Sequence, residues 1–348
     1  MKICILTDTH FGCRKGSQLF HNYFEKFYSE VFFPYLDKHN ITHVVHMGDV
    51  FDSRKGIEFK SLKWAKRVVF DPLKERGITV HMMVGNHDAY YKNTNDINAV
   101  DLLLEEYDNV ITFSEIGDVE IDGLKVTYVP WINEENMKQT INHLSSSDAT
   151  VAMGHLELNG FKVNKYVDMD HGFDSSYFDK YEKVFSGHFH TRSDNGKVFY
   201  LGNPYEMFWT DVLDKRGFTV FDTETLEHEP INNPFRLFYN IYYEDTDYQL
   251  FDTREYEDKI CKLIVRKKSD VVQFEKFVDK LYASNVAELK IVENFEFSGW
   301  YGEDDEEIES EDTISILNRY IEESETELDK FRIQNLAREI YQEACELT

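Results

Sequence analysis

The sequence predicts an α/β fold in which two packed β-sheets are flanked by helices, followed by a small α+β domain and C-terminal helices. In the first third of the chain, short apolar runs alternate with amphipathic stretches, an order typical of parallel strands joined by helical crossovers. The segments that follow, up to about residue 230, are rich in short strands. This change favours two sheets packed together, with the helices outside.

The individual elements follow from the spacing of their apolar residues. Strand-like runs are short, whereas the helices place aromatic and aliphatic residues on one face. Gly77 is a natural C-cap for the second helix, and Asp122-Gly123 between two apolar runs predicts a hairpin. In order, the predicted elements of the first domain are strand 2–7, helix 20–36, strand 43–47, helix 59–76, strand 78–84, helix 98–107, and strands 119–121, 125–129, 150–153, 183–186, 198–201 and 217–222.

The rest of the chain differs from this domain in composition. A proline-bounded segment, Pro230 to Pro234, marks the predicted boundary, and strand 259–266, helix 271–283 and strand 286–293 follow it as a small β-α-β unit. An acidic stretch of nine carboxylates without Lys or Arg then predicts a flexible linker, before two amphipathic helices. The predicted parts are the first domain at residues 1–232, the small domain at 233–295, the linker at 296–312 and the helical region at 313–348.

Cysteine spacing, apolar runs and charge predict the compartment in which the protein works. The four cysteines are far apart and form no Cys-x-x-Cys pair, which favours reduced thiols in a cytosol over disulfides or a thiolate zinc site. There is no run of about 18 apolar residues, and Met1-Lys2 leads directly into a strand. We therefore expect a soluble, cytoplasmic protein without a membrane span. The last 53 residues carry −13 of the net charge of −27, so half of the repulsion towards nucleic acid lies on the C-terminal part.

Five apolar runs end in the side chains that bind metal ions. Because ligands of α/β sheets sit at the carboxyl ends of strands, we expect these motifs to meet. A single motif of this kind could be only a capped turn, and a lone histidine is more often an ordinary surface or core residue. Five agreeing segments favour a metal site instead. The motifs are Asp8-Thr9-His10, Gly48-Asp49-Val50-Phe51-Asp52, Gly85-Asn86-His87-Asp88, Gly154-His155 and Gly187-His188-Phe189-His190.

These ligand types predict a two-metal site for phosphoester hydrolysis. Such a site needs two cations roughly 3.5–4 Å apart, and a bridging carboxylate holds them naturally. Asp49 is the predicted bridge, and His87 is left to face the scissile phosphate as an acid or phosphate donor. Asp52 and Asp88 are interpreted as supporting or turn residues. The predicted ligands are Asp8, His10 and His190 for one metal, and Asn86, His155 and His188 for the other.

Basic and aromatic residues follow the same motifs and are candidates for DNA contact. Loops after strand ends would place cations on the active face, where they could grip phosphates, and the tyrosines could stack on bases. The alternative is that surface loops often carry Lys and Arg. The candidates are Arg14, Lys15, Arg54, Lys55, Tyr90, Tyr91, Lys92 and Arg192.

The motif series Asp-x-His, Gly-Asp-x-x-Asp, Gly-Asn-His-Asp, Gly-His and Gly-His-x-His resembles that of the calcineurin-like metallophosphoesterases. The finer match is to double-strand-break repair nucleases of the Mre-eleven and SbcD type. The runs Val84 to Asp88, Gly154 to Gly160 and Val129-Pro130-Trp131 are most similar to phage members. This resemblance covers nearly the whole chain, densely up to about residue 225, and agrees with the metal ligands assigned above.

The resemblance implies how the protein works and with what. It implies a nuclease that cleaves phosphodiesters at double-stranded DNA ends with two Mn²⁺ ions, with Mg²⁺ supporting weaker activity. It also implies an SMC-like coiled-coil ATPase of the Rad-fifty or SbcC type as partner, and a DNA-capping role for the small domain. The alternative enzyme is a phosphomonoesterase or cyclic-nucleotide phosphodiesterase, because fold does not fix substrate. A scaffold that only bridges DNA to the ATPase is the other alternative, although every expected ligand is present.

Two apolar surfaces are predicted to bind other chains. The resemblance implies a homodimer through helices 59–76 and 98–107, where Leu102-Leu103-Leu104 is too broad for one narrow helix face. A wide core-facing stripe is the alternative. The C-terminal helices are predicted to dock on the ATPase, because the acidic linker should hold them away from an acidic body; folding back is the alternative. Their predicted anchors are Leu317, Ile321, Leu336 and Ile340.

Overall fold

In a computed structural model the chain divides into two compact units, Met1–Asn294 and Phe295–Thr348. The structure describes residues 1–163, 169, 172–243, 249–268 and 270–293 of the first unit. Of the second unit it describes Ile321, Lys330, Ile333, Gln334, Leu336 and Ala337.

Strands and helices alternate in the N-terminal part of the first unit, and a part rich in strands follows, as the sequence predicts. The strands are β1 Lys2–Leu6, β2 His43–His46, β3 Thr79–Met83, β4 Ala89–Tyr91, β5 Thr94–Asn98, β6 Val110–Phe113, β7 Gly117–Ile121, β8 Leu124–Val129, β9 Val151–His155, β10 Lys183–Gly187, β11 Ser193–Asp194, β12 Val198–Tyr200, β13 Gly217–Asp222, β14 His228–Asn232, β15 Phe238–Tyr242, β16 Ile260–Val265 and β17 Glu288–Glu293. The helices are α1 Gln18–Phe27, α2 Phe33–His39, α3 Phe59–Ala65, α4 Asp71–Glu75, α5 Ala99–Leu104, α6 Met137–Ser146 and α7 Val271–Ala283.

Two six-stranded sheets form the frame, which confirms the predicted architecture. The first has the order β14-β13-β1-β2-β3-β6, and its strands β1, β2, β3 and β6 are parallel. The second has the order β11-β12-β10-β9-β8-β7, with β12, β10, β9 and β8 parallel. Both sheets therefore place the ends of several parallel strands along one edge.

Alternation along the strands divides the core into layers. Ile3 and Ile5 of β1 point into a layer shared with the second sheet, where Val126 and Phe185 are also buried. Their neighbours on β1, such as Cys4, point instead to the layer under the helices. Because side chains alternate between the two faces of a strand, both faces of β1 are buried. The two sheets thus pack face to face, with helices outside.

The two long helices predicted near the N-terminus are each interrupted. A π-helical segment, Tyr28–Phe32, separates α1 from α2, and another, Lys66–Phe70, separates α3 from α4. Pro34 and Pro72 are the second residues after these segments. Proline has no N–H and its ring clashes with the carbonyl four residues earlier, so the wider turn accommodates it. Both predicted helices are therefore present, and only the π-helical segment inside each was not predicted.

Two local predictions are confirmed. The hairpin between β7 and β8 turns at Asp122 and Gly123, whose φ angles of 51° and 79° match a type I′ turn. Helix α5 is shorter than predicted and begins after Asn98, whose side-chain oxygen accepts a hydrogen bond of 2.8 Å from the Asp101 amide.

The small β-α-β unit has a parallel three-stranded sheet, β15-β16-β17, and its own apolar core with α7. Strand β15 was not predicted. Its Phe238, with Ile260 of β16, packs into the core of the first sheet and its helices. The boundary at residue 232 stays a prediction.

Three cysteines, Cys4, Cys13 and Cys261, are buried free thiols, and Cys345 lies outside the described residues. Among the described residues, none of the helices combines the length and the apolar character needed to cross a bilayer.

Candidate metal centre

The five motifs meet at the ends of neighbouring strands. Asp8 and His10 follow β1, Asp49 follows β2, and Asn86 and His87 follow β3. His155 ends β9, while His188 and His190 follow β10 of the second sheet. All seven predicted ligands and His87 are therefore brought together by the packing of the two sheets.

The first group of ligand atoms comes from Asp8, His10 and His190. Their ligand atoms lie within 4.8 Å of one another. The Nε2 atoms of His10 and His190 approach to 3.1 Å, a distance at which one cation can bind both nitrogens.

The second group comes from Asp49, His155 and His188, again within 4.8 Å. The side-chain oxygen of Asn86 lies between the two histidines, 2.9 Å from Nε2 of His155 and 3.0 Å from Nδ1 of His188. Asn86 is thus placed to complete this group.

Asp49 is shared by the two groups. Its Oδ2 atom lies 3.3 Å from Nε2 of His155 and 3.6 Å from Nε2 of His10. Its other oxygen accepts a hydrogen bond of 2.8 Å from the backbone amide of His87. One carboxylate between two sets of nitrogens is the geometry expected of a bridging ligand.

The donor set fits two divalent cations. Asp8 is fully buried and Asp49 is 2% exposed, and carboxylates so removed from water require a positive partner. Burial disfavours the charged form of His10, but Asp52 and Asp49 outweigh it and raise the pKa of His10 to about 9. For His155 burial is likewise outweighed, chiefly by Asp49, and its pKa rises to about 9. The carboxylates therefore create a field that attracts cations.

Partners behind the ligands fix which ring nitrogen faces the centre. The Nδ1–H group of His155 donates to the Met47 carbonyl oxygen at 2.9 Å, which leaves Nε2 for a metal. The Nε2–H group of His188 donates to the Glu157 carboxylate at 3.1 Å, which leaves Nδ1. Glu157 lies in the Gly-His-Leu-Glu run, but its role was not predicted.

Replacing Glu157 with Gln should weaken one metal site. The carboxylate holds the tautomer and orientation of His188, and loss of such a partner typically lowers metal affinity by about 10–100-fold. Titration with Mn²⁺ followed by electron paramagnetic resonance measures this, with Glu182→Gln, an exposed position, as control. Unchanged affinity for both ions would contradict the role given to Glu157.

Asp88 ties two of the motif loops together. Its buried carboxylate accepts hydrogen bonds from the amides of Gly85, Val50 and Phe51 at 2.9–3.1 Å. Burial and the nearby Asp49 carboxylate raise the pKa of Asp88 to about 6. Its contacts are those of a supporting residue, as the sequence analysis interpreted it.

The backbone of the centre is strained at its candidate ligands. Asp8, His10, Asp49 and His188 have φ angles of 53°, 42°, 54° and 80°, in the left-handed region that costs L-residues roughly 1–2 kcal/mol each. Such strain persists only where the surroundings impose it, and it concentrates at functional sites.

Gly85 allows the strand ends to approach each other. A Cβ atom at this position would lie 2.2 Å from Oδ1 of Asp49 and 2.3 Å from the Asp49 amide nitrogen. Because both contacts are far inside van der Waals range, any side chain here would displace the candidate bridging residue.

His87 lies at the rim of the centre. Its Nδ1–H group donates to the Asp52 carbonyl oxygen at 2.6 Å, so Nε2 is the nitrogen left to contact a substrate or a metal. The ring is partly exposed and meets the His10 ring edge-on, with centroids 4.8 Å apart. One His87 nitrogen also lies within 4.8 Å of ligand atoms of His10 and Asp49. This position suits contact with a bound phosphate and also direct metal ligation.

Of the candidate DNA contacts, Arg14 and Lys15 lie in a short helix, Cys13–Gly16, after β1, whereas Arg54 and Lys55 lie in the loop after β2. Lys15, Lys55 and Lys92 are exposed, while Arg54 is partly exposed. Arg14 is also partly exposed, and its guanidinium lies 5.3 Å from the centroid of the Phe208 ring.

The tyrosines and Arg192 differ in exposure. Tyr90 and Tyr91 lie on β4 and are 40% and 50% exposed. Arg192 instead donates to the Leu201 carbonyl oxygen at 3.0 Å and to the Asn232 side chain at 2.7 Å. Its contact with DNA remains a prediction, as do those of the other candidates.

Two further residues support the ligand loops and were not predicted. Arg216, 3% exposed, donates to the carbonyl oxygen of the candidate ligand His190 and pairs with Asp211 at 3.0 Å. The Tyr205 hydroxyl donates to the carbonyl oxygen of Thr9, between two ligands, at 2.7 Å. Nothing in the local sequence links these side chains to the motifs.

Comparisons of the sequence with known proteins identify relatives of this chain. The profile of the calcineurin-like phosphoesterase family matches residues 1–192. Over 349 residues the chain is 32% identical to a protein of Enterobacteria phage T4 described as Exonuclease subunit 1, covering 99% of this chain and 100% of that one.

Solved structures also match. An archaeal phosphodiesterase has a TM-score of 0.34 and 16% identity, covering 67% of this chain and 100% of its own. The calcineurin-like phosphoesterase YfkN of Bacillus subtilis has a TM-score of 0.34 and 13% identity, covering 67% and 88%. The family profile and the full-length similarity confirm the resemblance seen in the motifs: the chain belongs to the calcineurin-like phosphoesterase family.

Proposed function

We propose that the protein is a manganese-dependent DNA nuclease that cleaves phosphodiesters at double-stranded ends. The observation that carries this proposal is the full-length similarity to a phage protein described as an exonuclease subunit. The paired donor groups around Asp49 support it, because they provide what two-metal hydrolysis requires. Mixed nitrogen and oxygen donors suit Mn²⁺, and Mg²⁺ is expected to support weaker activity.

Each group of side chains has its own task in this reaction. Asp8, His10 and His190 would hold one cation, Asn86, His155 and His188 the other, and Asp49 would bind both. When bound, the two cations supply polarisation of the phosphate and activation of a water molecule. His87 donates a proton to the leaving oxygen from the rim of the centre. The exposed cations Lys15, Lys55 and Lys92 follow strand ends and would contact the DNA backbone.

Digestion of end-labelled duplex DNA by the purified protein tests the proposal. We expect cleavage with Mn²⁺, slower cleavage with Mg²⁺ and none in chelator. A phosphomonoester and a cyclic nucleotide serve as parallel substrates. Hydrolysis of either one in preference to DNA, or DNA cleavage without metal, would contradict the proposal.

An exposed apolar surface supports a homodimer. Phe59, at the start of α3, is 89% exposed, and Leu102 of α5 is 67% exposed, while Leu104 is buried. The prediction that part of Leu102-Leu103-Leu104 is exposed in a monomer is therefore confirmed. Large apolar side chains exposed on two helices suit a self-complementary interface.

Replacing Leu102 with Glu should convert the dimer to a monomer. A carboxylate in a buried apolar interface would lose its water without gaining a partner. Light scattering at micromolar concentration is expected to give a dimer for the wild type and 41.2 kDa for the variant. Leu250→Glu, at an 83% exposed position elsewhere, should leave the dimer intact. A monomeric wild type would contradict the proposed homodimer.

The C-terminal region is proposed to bind an SMC-like coiled-coil ATPase. Of its predicted anchors, Ile321 is buried and Leu336 is 57% exposed, whereas Leu317 and Ile340 lie outside the described residues. The acidic linker 296–312 also lies outside them. The support is the amphipathic pattern after a run of nine carboxylates, since short helices need a partner to pack on.

Truncation after Gly302 should leave the manganese nuclease active but abolish co-purification with the ATPase. The tail carries the apolar anchors, whereas all candidate metal ligands precede residue 191. Pull-down with purified ATPase and a parallel nuclease assay measure the two effects. If the truncated protein unfolds, or binds the ATPase with unchanged affinity, the tail is not the docking element.

A further inference from the structure

Trp131 forms part of the wall of the metal centre. Its indole ring centroid lies 5.2 Å from that of His188 and 6.0 Å from that of His155. The ring is partly exposed, so it is not fully covered by protein. A large aromatic surface thus stands beside two candidate ligands of the second group.

The backbone of Trp131 is fixed on both sides. Its N–H donates to the carbonyl oxygen of Val84, at the end of β3, at 2.9 Å. Its carbonyl oxygen accepts hydrogen bonds of 2.9 Å from the side chains of both Asn95 and Asn136. This loop therefore holds the ring in one place relative to the Asn86 motif that follows Val84.

Two amide side chains of this loop network are buried. Asn95 and Asn133 are each 6% exposed, and the Asn133 amide donates to the Asn95 side-chain oxygen at 3.0 Å. Buried amides are costly unless their polar groups are partnered, and here those partners are concentrated on one loop. Such a network rigidifies the segment that carries Trp131.

The same network attaches the tyrosine hairpin. Asn95 lies on β5, which pairs with β4, the strand that carries Tyr90 and Tyr91. The Glu135 amide, in the loop after Trp131, also donates to the Asn93 carbonyl oxygen at 3.3 Å. The hairpin and the Trp131 loop therefore form one assembly at the rim of the centre.

From this arrangement we infer that Trp131 is a base-stacking subsite for the nucleotide next to the scissile phosphate. The inference rests on the proposed nuclease function and adds a specificity-determining residue to it. A rigid aromatic ring beside a phosphate-binding centre provides a flat apolar surface for a nucleobase. Stacking of this kind accepts any base, because every base has a π-face, and suits sequence-independent degradation. A wall that only supports His188 would need no exposed ring surface.

Abasic substrates separate stacking from support of the ligand. Oligonucleotides carry a tetrahydrofuran abasic residue at each terminal position in turn, so the phosphates are unchanged while one base is missing. Wild type, Trp131→Phe and Trp131→Leu are compared, with Tyr177→Ala as the control for an exposed aromatic elsewhere. Cleavage is followed with Mn²⁺, and binding is followed by fluorescence anisotropy with Ca²⁺ in its place.

Wild type should prefer the normal over the abasic substrate by about ten- to a hundred-fold at one position. The Trp131→Leu variant should lose this preference, because it should cleave only the normal substrate more slowly than the wild type does. The Trp131→Phe and Tyr177→Ala variants should keep the preference. Manganese stoichiometry should stay at two in every variant. An equal loss on both substrates, accompanied by weaker metal binding, would overturn the inference and assign the ring to support of His188.

The anisotropy measurements of DNA binding allow the base-stacking subsite and the proposed nuclease function to fail separately. If the wild type fails to cleave DNA but binds normal oligonucleotides better than abasic ones through Trp131, the nuclease proposal fails and the subsite stands. If it cleaves DNA without any dependence on the base at Trp131, the nuclease proposal stands and the subsite is overturned. If the wild type neither cleaves DNA nor binds normal oligonucleotides better than abasic ones, both the nuclease proposal and the subsite are overturned.

Discussion

Replacing Asp49 with Asn is expected to reduce DNA hydrolysis to the metal-free background and to abolish paired binding of two cations. The Oδ2 atom of Asp49 lies 3.3 Å from Nε2 of His155 and 3.6 Å from Nε2 of His10, one histidine of each donor group. An amide of the same size removes the negative charge that both cations would share. It also presents an N–H₂ group where a carboxylate now accepts the His87 amide.

Metal titration and thermal unfolding measure this effect independently of activity. Wild type should bind two Mn²⁺ ions and gain stability with them, by about 2.7 kcal/mol in the free energy of unfolding when free metal is 100 times the dissociation constant. The Asn variant should lose most of this gain. Asp148→Asn, whose carboxyl is 80% exposed, is the matched control and should behave as wild type. Two ions bound with unchanged affinity would show that Asp49 is not the bridge.

The sequence was sufficient to predict the centre where the determinants are local. Asp8, Asp49 and Asn86 each follow a short apolar strand, and parallel strands β1, β2 and β3 are neighbours in one sheet. Their convergence therefore follows from the β-α-β order alone. His155 and His188 come from the other sheet, so joining them to this group required the whole motif series rather than strand order.

Supporting contacts could not be predicted, because they join segments that are distant in sequence. Glu157 and His188 are 31 residues apart, and Tyr205 reaches Thr9 across 196 residues. Such pairs depend on loop conformations that short-range patterns do not specify. The left-handed backbone at His10 could not be predicted either, because only a small minority of histidines adopt it.

The missed secondary structure has similar causes. Strand β5 reads Thr-Asn-Asp-Ile-Asn, which lacks the apolar alternation of a strand and is held by pairing with β4 and by the Asn95 network. The π-helical segments arise from the response of a helix to Pro34 and Pro72, and apolar spacing alone does not distinguish them from α-helix. In both cases tertiary or backbone constraints prevailed over local propensity.

His87→Ala is expected to lower the rate of hydrolysis by about 10²–10⁴-fold while both metals and DNA binding are retained. The Nδ1–H group of His87 is fixed by the Asp52 carbonyl oxygen, so Nε2 is the nitrogen left to carry the proton that His87 would donate. Removing the ring takes away this donor without removing any of the seven predicted ligands. Single-turnover rates, Mn²⁺ stoichiometry and DNA anisotropy are measured together, with His39→Ala, an exposed histidine, as control.

A substrate with a better leaving group shows whether His87 acts as a general acid or as a metal ligand. A nucleotide p-nitrophenyl ester expels a stable phenolate that needs little protonation, so loss of an acid should slow this substrate much less than DNA. Loss of a ligand should slow both substrates alike and reduce the bound Mn²⁺ from two to one. The second result would place His87 with His10 and Asp49 around a cation, an arrangement that their ligand atoms, within 4.8 Å of one another, also permit. The ratio of the two rates therefore separates proton donation to the leaving oxygen from metal binding.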